Sequence, residues 1–288
     1  MRKLAFELSV LQKRNTEGSH STQAARNAIL HQASNTLHTL GYRHMGAHSI
    51  KSKHVEALVK HWTMRELSSG TIKNRMTHLR WWAEKVNKPG IMSRGNVAYD
   101  IPGRRYITNL DKSRTLDQNK MQNIADRHVR YSLKLQEAFG LRREESIKFI
   151  ADYADRGSTI LLKSTWTKGG KEREIPVRNE AQRALLDDIR CFANRSSLIP
   201  SNKNYIQQLR TWERNVSDAG FDRLHGLRHA YAQTRYAELT AWPCPIKGGP
   251  SRRDMTLEQQ EEDREARQTI SREMGHERLE IVSVYIGS

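Results

Sequence analysis

Residues 275–285 read Gly275-His276-Glu277-Arg278-Leu279-Glu280-Ile281-Val282-Ser283-Val284-Tyr285, and they place a tyrosine nine positions after a Gly-His pair. Three further segments lie upstream: Gly140-Leu141-Arg142-Arg143-Glu144-Glu145, Lys168-Gly169-Gly170-Lys171 and His225-Gly226-Leu227-Arg228-His229. Each segment is common by itself. Their order and spacing together predict a site that attacks a phosphodiester without a metal ion.

Splitting a phosphodiester requires neutralisation of the non-bridging oxygens and controlled movement of protons. Arginine suits the first task because its planar fork binds two phosphate oxygens and stays protonated. Histidine suits proton transfer near neutral pH. Arg142 and Arg228 are therefore the candidate phosphate ligands, and His225 and His276 are the candidate proton carriers.

Lys168 and Tyr285 complete the predicted site. Lys168 lies between two strand-like runs, where a lysine on a hairpin can reach a bound backbone and protonate a departing alkoxide. Tyr285 is the candidate nucleophile that forms a covalent intermediate with phosphorus. Such an intermediate retains the energy of the broken bond, so strands can be rejoined without ATP or another cofactor.

Every member of this set has a simpler structural interpretation. Arg142 and Glu145 are three residues apart, a common surface pair on a helix. Lys168 fits a basic turn, like Lys171 and Arg173. His225 and His229 fit capping or helix-surface positions. Tyr285 fits an aromatic residue that only packs in the core. All of these would have to coincide in one fixed order, which favours the functional interpretation. A metal site is disfavoured because the 12 histidines are scattered and accompany no carboxylate or thiol cluster.

Charge indicates a polyanionic partner. The 288-residue chain has a net charge of +17, and residues 1–110 contain 18 Lys and Arg against 6 Asp and Glu. No apolar run approaches the ~20 residues of a transmembrane helix, and the charged N-terminus is unlike a secretory signal. The only two cysteines, Cys191 and Cys244, are far apart in the sequence. These features predict a reduced, cytoplasmic protein that uses no membrane.

Four helices are predicted before residue 90: Leu4 to Lys13, Ser21 to Gly41, His54 to Leu67, and one capped by Ser69-Gly70-Thr71. Val55, Leu58, Val59, Trp62 and Met64 form the apolar stripe of the third helix, and Ile72, Met76, Leu79, Trp82 and Val86 form that of the fourth. The other face of the fourth helix is basic, with Lys73, Arg75, His78, Arg80 and Lys85, as a helix lying on phosphates requires.

Residues 87–112 lack periodicity and predict a basic linker or strap that contains Arg104 and Arg105. We place the domain boundary near residue 110, which gives a basic helical domain with a linker at 1–110, suited to a polyanion, and a second domain at 111–288. In the second domain, 159–162 and 174–177 predict a β-hairpin. Helices are expected around 118–137, 142–152, 179–192, 203–218 and 226–240. Residues 242–269 are interpreted as a surface excursion ending in a solvated helix.

With these motifs in place, the sequence resembles the tyrosine recombinases of the phage-integrase family. Residues 140–145 match the first arginine box, 166–173 the lysine hairpin, 224–230 the His-x-x-Arg box, and 274–276 with Tyr285 the terminal box. Residues 69–86 are similar to the last helices of the family's core-binding domain. The resemblance implies a four-helix SAM-like N-terminal domain and a mainly helical catalytic domain with a small β-sheet.

The same resemblance implies the chemistry. Five residues would activate the scissile phosphate for attack by Tyr285: Arg142, Lys168, His225, Arg228 and His276. Glu145 would support them, and the DNA contacts would include Lys73, Arg75, Arg80, Arg104 and Arg105. The family forms a 3′-phosphotyrosyl link and works as a homotetramer on two DNA duplexes, so a role in a bacterial prophage or mobile element, at the nucleoid, is implied.

Two features depart from the family pattern. Arg228 and His276 are 48 positions apart, roughly twice the usual separation in the family, and the excess lies in residues 242–269. The sequence also ends three residues after Tyr285, where many relatives carry a further element that docks on a neighbouring subunit. Two alternatives therefore stay open: a type IB topoisomerase-like enzyme, and a DNA-binding relative with impaired catalysis.

Overall fold

The computed structural model describes residues 2–104 and 106–288, and the chain divides into two compact units, 1–105 and 106–288. Helices dominate both units, and the single sheet of the described residues has two antiparallel strands. The predicted fold class, mainly helical with a small hairpin, is confirmed. In the described part of the chain, no helix has both the length and the apolar composition needed to span a membrane.

The first unit is built on four helices: α1 (Lys3–Arg14), α2 (His20–Thr39), α3 (Ser52–Met64) and α4 (Ser69–Lys85). Their apolar stripes meet in one core, which includes Leu8, Leu30, Leu37, Leu58, Leu79 and Trp82. Gly41 follows α2 with a φ of +96°, as a helix-ending glycine requires. The cap of α4 is Ser68, whose hydroxyl accepts a hydrogen bond from the Thr71 amide (3.2 Å), one residue before the predicted cap.

Two assignments in the first unit are wrong. Met64 is 75% exposed, because it lies two positions after Trp62 and so points away from the core face of α3. His78, expected on the basic face of α4, is buried. It precedes Trp82 by four positions and thus shares the core side of the helix, and burial lowers the pKa of its imidazole.

Much of the predicted strap belongs to the first unit. Residues 87–104 contain two 3₁₀ turns, Pro89–Ile91 and Val97–Tyr99. Met92 and Ile101 are buried in the core of the four helices. Of the predicted basic linker or strap at residues 87–112, the part up to Ile101 therefore packs on the four helices.

The second unit surrounds one central helix, α11 (Gly226–Thr240). Before it come α5 (Gln118–Gln122), α6 (Arg127–Phe139), α7 (Arg143–Ile147), α8 (Ala151–Ala154), β1 (Thr159–Leu162), β2 (Arg173–Pro176), α9 (Glu180–Ala193) and α10 (Tyr205–Asp218); after it come α12 (Leu257–Glu273) and α13 (Ser283–Ile286). Ile160 pairs with Ile175 in the predicted hairpin, which is confirmed. Helices α6, α12 and α13 all pack on α11.

Two predicted helices are interrupted. The 118–137 helix divides into α5 and α6 because the Asp126 carboxylate caps a new helix, accepting hydrogen bonds from the amides of His128 (2.8 Å) and Val129 (3.3 Å). The 142–152 helix divides into α7 and α8. There the Phe149 carbonyl accepts a hydrogen bond from the Leu198 amide (3.1 Å), so the backbone bonds to a distant segment and does not continue the helix.

Residues 242–269 are not a solvated excursion. Cys244 and Met255 are buried, and α12 inserts Asp263, Ala266 and Ile270 into the unit. Most charged residues of the run 258–267 lie on one exposed face of the helix, whose other face packs on α11 and β2. The interpretation failed because most inward-facing residues of α12 are small or polar, with Ile270 as the exception, which gives the sequence a weak apolar pattern.

Candidate active site

The end of α12 brings three arginines together. The carbonyls of Glu273, Met274 and Gly275 accept hydrogen bonds from Arg173 (2.8 Å), Arg228 and Arg142 (3.5 Å), respectively. The C-terminal end of a helix carries partial negative charge on its unpaired carbonyls, so it stabilises adjacent cations. This helix end positions residues that are far apart in the sequence.

Glu145 is the buried carboxylate of this cluster. It bonds the Arg142 amide (2.7 Å) and Arg142 Nη1 (2.8 Å), and it accepts two bonds from Arg173, at 2.9 and 2.7 Å. Burial alone would raise the pKa of the Glu145 carboxyl, but the hydrogen bonds from Arg173 and the surrounding guanidinium charges lower it to about 2. The interpretation of Arg142 and Glu145 as an ordinary surface pair is therefore wrong, because Glu145 is inaccessible to solvent.

Arg228 is a fully buried cation. Its guanidinium donates to the carbonyls of Gly140 and Met274, and its Nη2 lies 3.4 Å from His276 Nε2. Burial, with the charge of Arg142, lowers the Arg228 pKa to about 10, so the group remains protonated at neutral pH. No carboxylate among the described residues lies within ion-pair distance of Arg228.

A glycine is required where the Arg228 guanidinium meets α6. Gly140 ends that helix with a φ of +60°, and its carbonyl receives the Arg228 bond. A Cβ atom at this position would lie 2.6 Å from the Tyr231 ring. Both the backbone conformation and the close ring contact exclude a side chain, which explains the glycine before Leu141 and Arg142.

Three histidines surround Tyr285. The Tyr285 hydroxyl lies 3.4 Å from His225 Nε2. The His276 ring stacks on the Tyr285 ring, with centroids 5.3 Å apart and an angle of 21° between the planes. The His229 ring lies 4.5 Å from the same ring. The predicted residues His225, His276 and Tyr285 are thus brought together, and His229 joins them.

The histidine pKa values are low at this site. Burial, followed by the charges of Arg228 and Arg142, lowers the pKa of His225 and brings that of His276 to about 3. Burial and the neighbouring His225 lower the pKa of His229 to about 4. Each imidazole is therefore neutral at pH 7 and has a lone pair available to accept a proton.

Lys168 lies on the loop between β1 and β2, where its side chain is exposed. Gly169 and Gly170 follow it with φ angles of +95° and +69°. Lys168 lines two cavities, and Arg142 lines both of them, while His225 borders one and His276 the other. The structure therefore places Lys168 at the edge of the cluster, beside cavities that Arg142, His225 and His276 also line.

The predicted DNA contacts lie in the first unit and on its C-terminal segment. Lys73 is half-buried on α4. Arg75 bonds Gln32 (3.1 Å) and lies over the Trp62 ring; Arg80 bonds the Ser93 carbonyl and the Asn96 side chain (2.8 Å); and Arg104 bonds the Gly70 carbonyl (2.7 Å). Arg105 lies outside the described residues.

Two residues of the site are not in the predicted set, and the sequence offered only a simpler structural interpretation for each. Arg173, interpreted as a turn residue, lies in β2 with its side chain almost fully buried against Glu145. The strand pattern could have indicated the burial of Arg173, because side chains alternate between the two faces and Arg173 shares one face with the buried Ile175. His229, interpreted as a capping or surface residue, is buried beside Tyr285. Helical spacing could have indicated the burial of His229. It lies on the same face of α11 as Ala232, Gln233 and Tyr236.

Two family models match the sequence: "Phage integrase, N-terminal" over residues 1–88 and "Integrase" over residues 104–234. Together they cover most of the chain. The protein belongs to the phage-integrase family, the tyrosine recombinases. None of the curated protein sequences matches it.

Solved structures of tyrosine recombinases share the fold. A lambda integrase dimer bound to a COC′ core site has 14% identity and a TM-score of 0.62, covering 98% of this chain and 76% of that one. XerH site-specific recombinase bound to palindromic difH has 17% identity and a TM-score of 0.58, covering 98% and 80%. The Tn1549 transposon integrase with circular intermediate DNA has 13% identity and a TM-score of 0.55, covering 100% and 96%. At these identities the likeness establishes the fold.

Proposed function

We propose that this protein cleaves and rejoins DNA strands at a specific site through a covalent 3′-phosphotyrosine intermediate. The observation that carries the proposal is the buried Arg228 guanidinium beside His276 and Tyr285, without a carboxylate partner in the described part of the chain. The neighbouring Glu145 carboxylate is bonded to Arg142 and Arg173, so Arg228 has no ion pair of its own. A buried cation that lacks a paired charge is costly. A phosphodiester bound between Arg228 and Arg142 would supply the missing negative charge and would lie against the tyrosine.

In the proposed cleavage step, Tyr285 is the nucleophile, and the surrounding residues accept its proton, bind the phosphate and protonate the leaving oxygen. The Tyr285 oxygen attacks phosphorus, and its proton passes to neutral His225, whose Nε2 faces the hydroxyl. Arg142 and Arg228 bind the non-bridging oxygens. His276 Nε2 faces the Arg228 donor, so His276 Nδ1, which has no partner among the described residues, donates a hydrogen bond to a phosphate oxygen. The bond to the 5′ oxygen breaks, and Lys168 protonates that oxygen. Glu145 supports Arg142.

Rejoining is the reverse reaction with another strand. A free 5′-hydroxyl attacks the phosphotyrosine, the new phosphodiester forms, and Tyr285 recovers its proton. The number of phosphoester bonds is unchanged, so neither ATP nor a metal ion is required. A tetramer on two duplexes would allow strands to be exchanged between them. The solved relatives include a lambda integrase tetramer bound to a Holliday junction.

DNA binding would use the helical domain at 1–110 together with the catalytic domain at 111–288. Lys73, Arg75, Arg80, Arg104 and Arg105 are proposed to contact the backbone of the duplex. We propose that the protein integrates or excises a bacterial mobile element or prophage and therefore acts in the cytoplasm at the nucleoid.

A covalent adduct tests this function. Nicked duplexes tiled across the DNA that flanks the gene are incubated with wild-type protein and with Tyr285→Phe, and SDS-resistant adducts are separated on a gel. We expect an adduct with wild type alone, since phenylalanine has no hydroxyl. Salt-sensitive binding without any adduct would instead identify a DNA-binding relative that has lost catalysis. Relaxation of a single supercoiled circle without strand exchange would identify a topoisomerase.

A further inference from the structure

Helix α13, which carries Tyr285, has only four residues. One helical turn is unstable by itself, because its nucleation is unfavourable and few hydrogen bonds offset it. The position of Tyr285 therefore depends on contacts between α13 and the rest of the unit. Two groups of contacts come from the part of the chain between Arg228 and His276.

The first group involves the turn at residues 244–249. Gly287, directly after α13, packs so closely on this turn that a Cβ atom there would lie 3.0 Å from the Ile246 amide nitrogen. On the same turn, Lys247 Nζ lies 2.6 Å from Asp111 Oδ2. Asp111 Oδ1 accepts a bond from Gln233 Nε2 (3.0 Å), and the same Nε2 donates to the Tyr285 carbonyl (3.1 Å). A chain of polar contacts thus connects Lys247 to the backbone of Tyr285.

The ionised state of Asp111 favours this series of polar contacts. Burial would raise the pKa of the Asp111 carboxyl, but the hydrogen bonds from Lys247 and Gln233 keep it well below its ordinary value. Asp111 is therefore ionised at neutral pH and accepts from both donors. Gln233 is buried, so losing Asp111 would leave one of the two Nε2 hydrogens without an acceptor, a cost of roughly 1–3 kcal/mol.

The second group involves Arg267 of α12. Its Nη1 donates to Ser283 Oγ (3.0 Å) at the start of α13 and to the Gly287 carbonyl (3.1 Å) after its end. Arg267 Nε is held in turn by Asp263, which also accepts a bond from the Tyr236 hydroxyl (2.7 Å). Both ends of α13 are therefore fixed by residues 244–267.

We infer that Lys247 and Arg267 are positioning residues for Tyr285: the 242–269 segment acts as an intramolecular latch that holds the tyrosine helix with its hydroxyl toward His225. This inference rests on the proposed role of Tyr285 as the nucleophile. Lys247 and Arg267 act through the backbone of α13 and through Asp111 and Gln233, and they do not touch the phosphate. The latch gives the 242–269 segment a function in strand cleavage.

Lys247→Met tests the latch, because it removes the charge and retains an unbranched chain. Arg252→Met is the matched control, since Arg252 is exposed in the same segment and has no ion pair among the described residues. On the duplex that wild type cleaves, we expect Lys247→Met to bind with unchanged affinity and form adduct at least about 10-fold more slowly at saturating DNA. Lys247→Arg should restore the rate. Equal rates for Lys247→Met and wild type would overturn the inference.

A second measurement keeps the latch separate from the cleavage reaction. Fluorotyrosine placed at position 285 is followed by ¹⁹F NMR in the free protein. We expect one resonance with the wild-type latch and with Arg252→Met, and a shifted or exchange-broadened resonance with Lys247→Met at a temperature where both variants are folded. Identical spectra would exclude the latch. A changed spectrum in a protein that forms no adduct with DNA would retain the latch and reject the proposed function.

Discussion

Arg173 holds the buried Glu145 carboxylate with two hydrogen bonds, at 2.9 and 2.7 Å, while its Nε bonds the Glu273 carbonyl at the end of α12. A residue outside the predicted set thus connects the Lys168 hairpin, the first arginine box and the terminal box. We expect Arg173→Met to destabilise the protein by about 3–5 kcal/mol, because Glu145 would keep a buried charge with one partner fewer. Urea unfolding at pH 7 measures this loss. Arg195→Met is the control, since its only ion pair among the described residues is on the surface. A loss below about 1 kcal/mol for Arg173→Met would contradict the prediction.

Ionisation of Glu145 should make the free energy of unfolding depend on pH in the acidic range. Its pKa is about 2 in the folded protein and 4.5 ordinarily, so its contribution is complete above pH 4.5 and disappears as the pH falls through 2. The difference corresponds to about 3 kcal/mol. The free energy of unfolding should therefore decrease less between pH 5 and pH 3 in Glu145→Gln than in wild type. Parallel pH dependences in the two proteins would show that folding does not lower the pKa of Glu145.

His276 should make the free energy of unfolding depend on pH in a higher pH range than Glu145 does. Its folded pKa of about 3 lies below the ordinary value of 6.5, so the unfolded chain gains a proton that the folded protein does not accept. Stability falls as the pH decreases below 6.5. Between pH 7 and 5.5 the His276 contribution amounts to about 1 kcal/mol. We expect His276→Asn to lose less stability than wild type over this interval in urea titrations, with exposed His44→Asn as the control.

Gly140→Ala should damage both stability and chemistry. The new Cβ atom would meet the Tyr231 ring at 2.6 Å and would occupy a left-handed backbone conformation, at a cost of about 1–3 kcal/mol from each cause. Because the Gly140 carbonyl receives the Arg228 guanidinium, adduct formation should also slow. Gly157→Ala separates the causes: Gly157 has a φ of +83° but open space around it. Equal losses in the two variants would assign the whole effect to the backbone.

The DNA contact of Lys73 can be tested with salt. Lys73 is on α4 and has no ion pair among the described residues, whereas Arg80 is held by Ser93 and Asn96. If Lys73 binds a phosphate, Lys73→Met should lower the slope of log affinity against log salt by about 0.9 without changing sequence preference. Fluorescence anisotropy at several salt concentrations measures the slope. A salt-independent affinity in wild type would remove the electrostatic basis of DNA binding.

Much of the fold followed from local patterns in the sequence. Long amphipathic helices such as α2 and α4 bury residues at helical spacing, and the Gly169-Gly170 pair between two apolar runs indicated the hairpin. Predictions failed where one polar contact decided the backbone. The Asp126 carboxylate starts a new helix inside an apparently continuous pattern, and α12 packs on the unit mostly through small and polar residues.

The candidate site was predictable for residues in motifs and not for those that only support them. Tyr285 and Arg228 belong to segments of recognisable spacing. Arg173 and Gln233 gain their positions from partners that are distant in the sequence, Glu145 in one case and the Tyr285 carbonyl in the other. Such partners depend on how helices pack around α11, which local periodicity does not specify.

The three consecutive carbonyls at the end of α12, each bound to a different arginine, have an evolutionary consequence. Arg142, Arg173 and Arg228 depend on three adjacent peptide units, so a proline, an insertion or a shifted register near Met274 would displace all three at once. Changes in residues 273–275 should therefore be tolerated far less than changes in the exposed face of α12 one turn earlier. Lineages that abandon strand cleavage would be expected to accumulate substitutions at this helix end as readily as at the tyrosine itself.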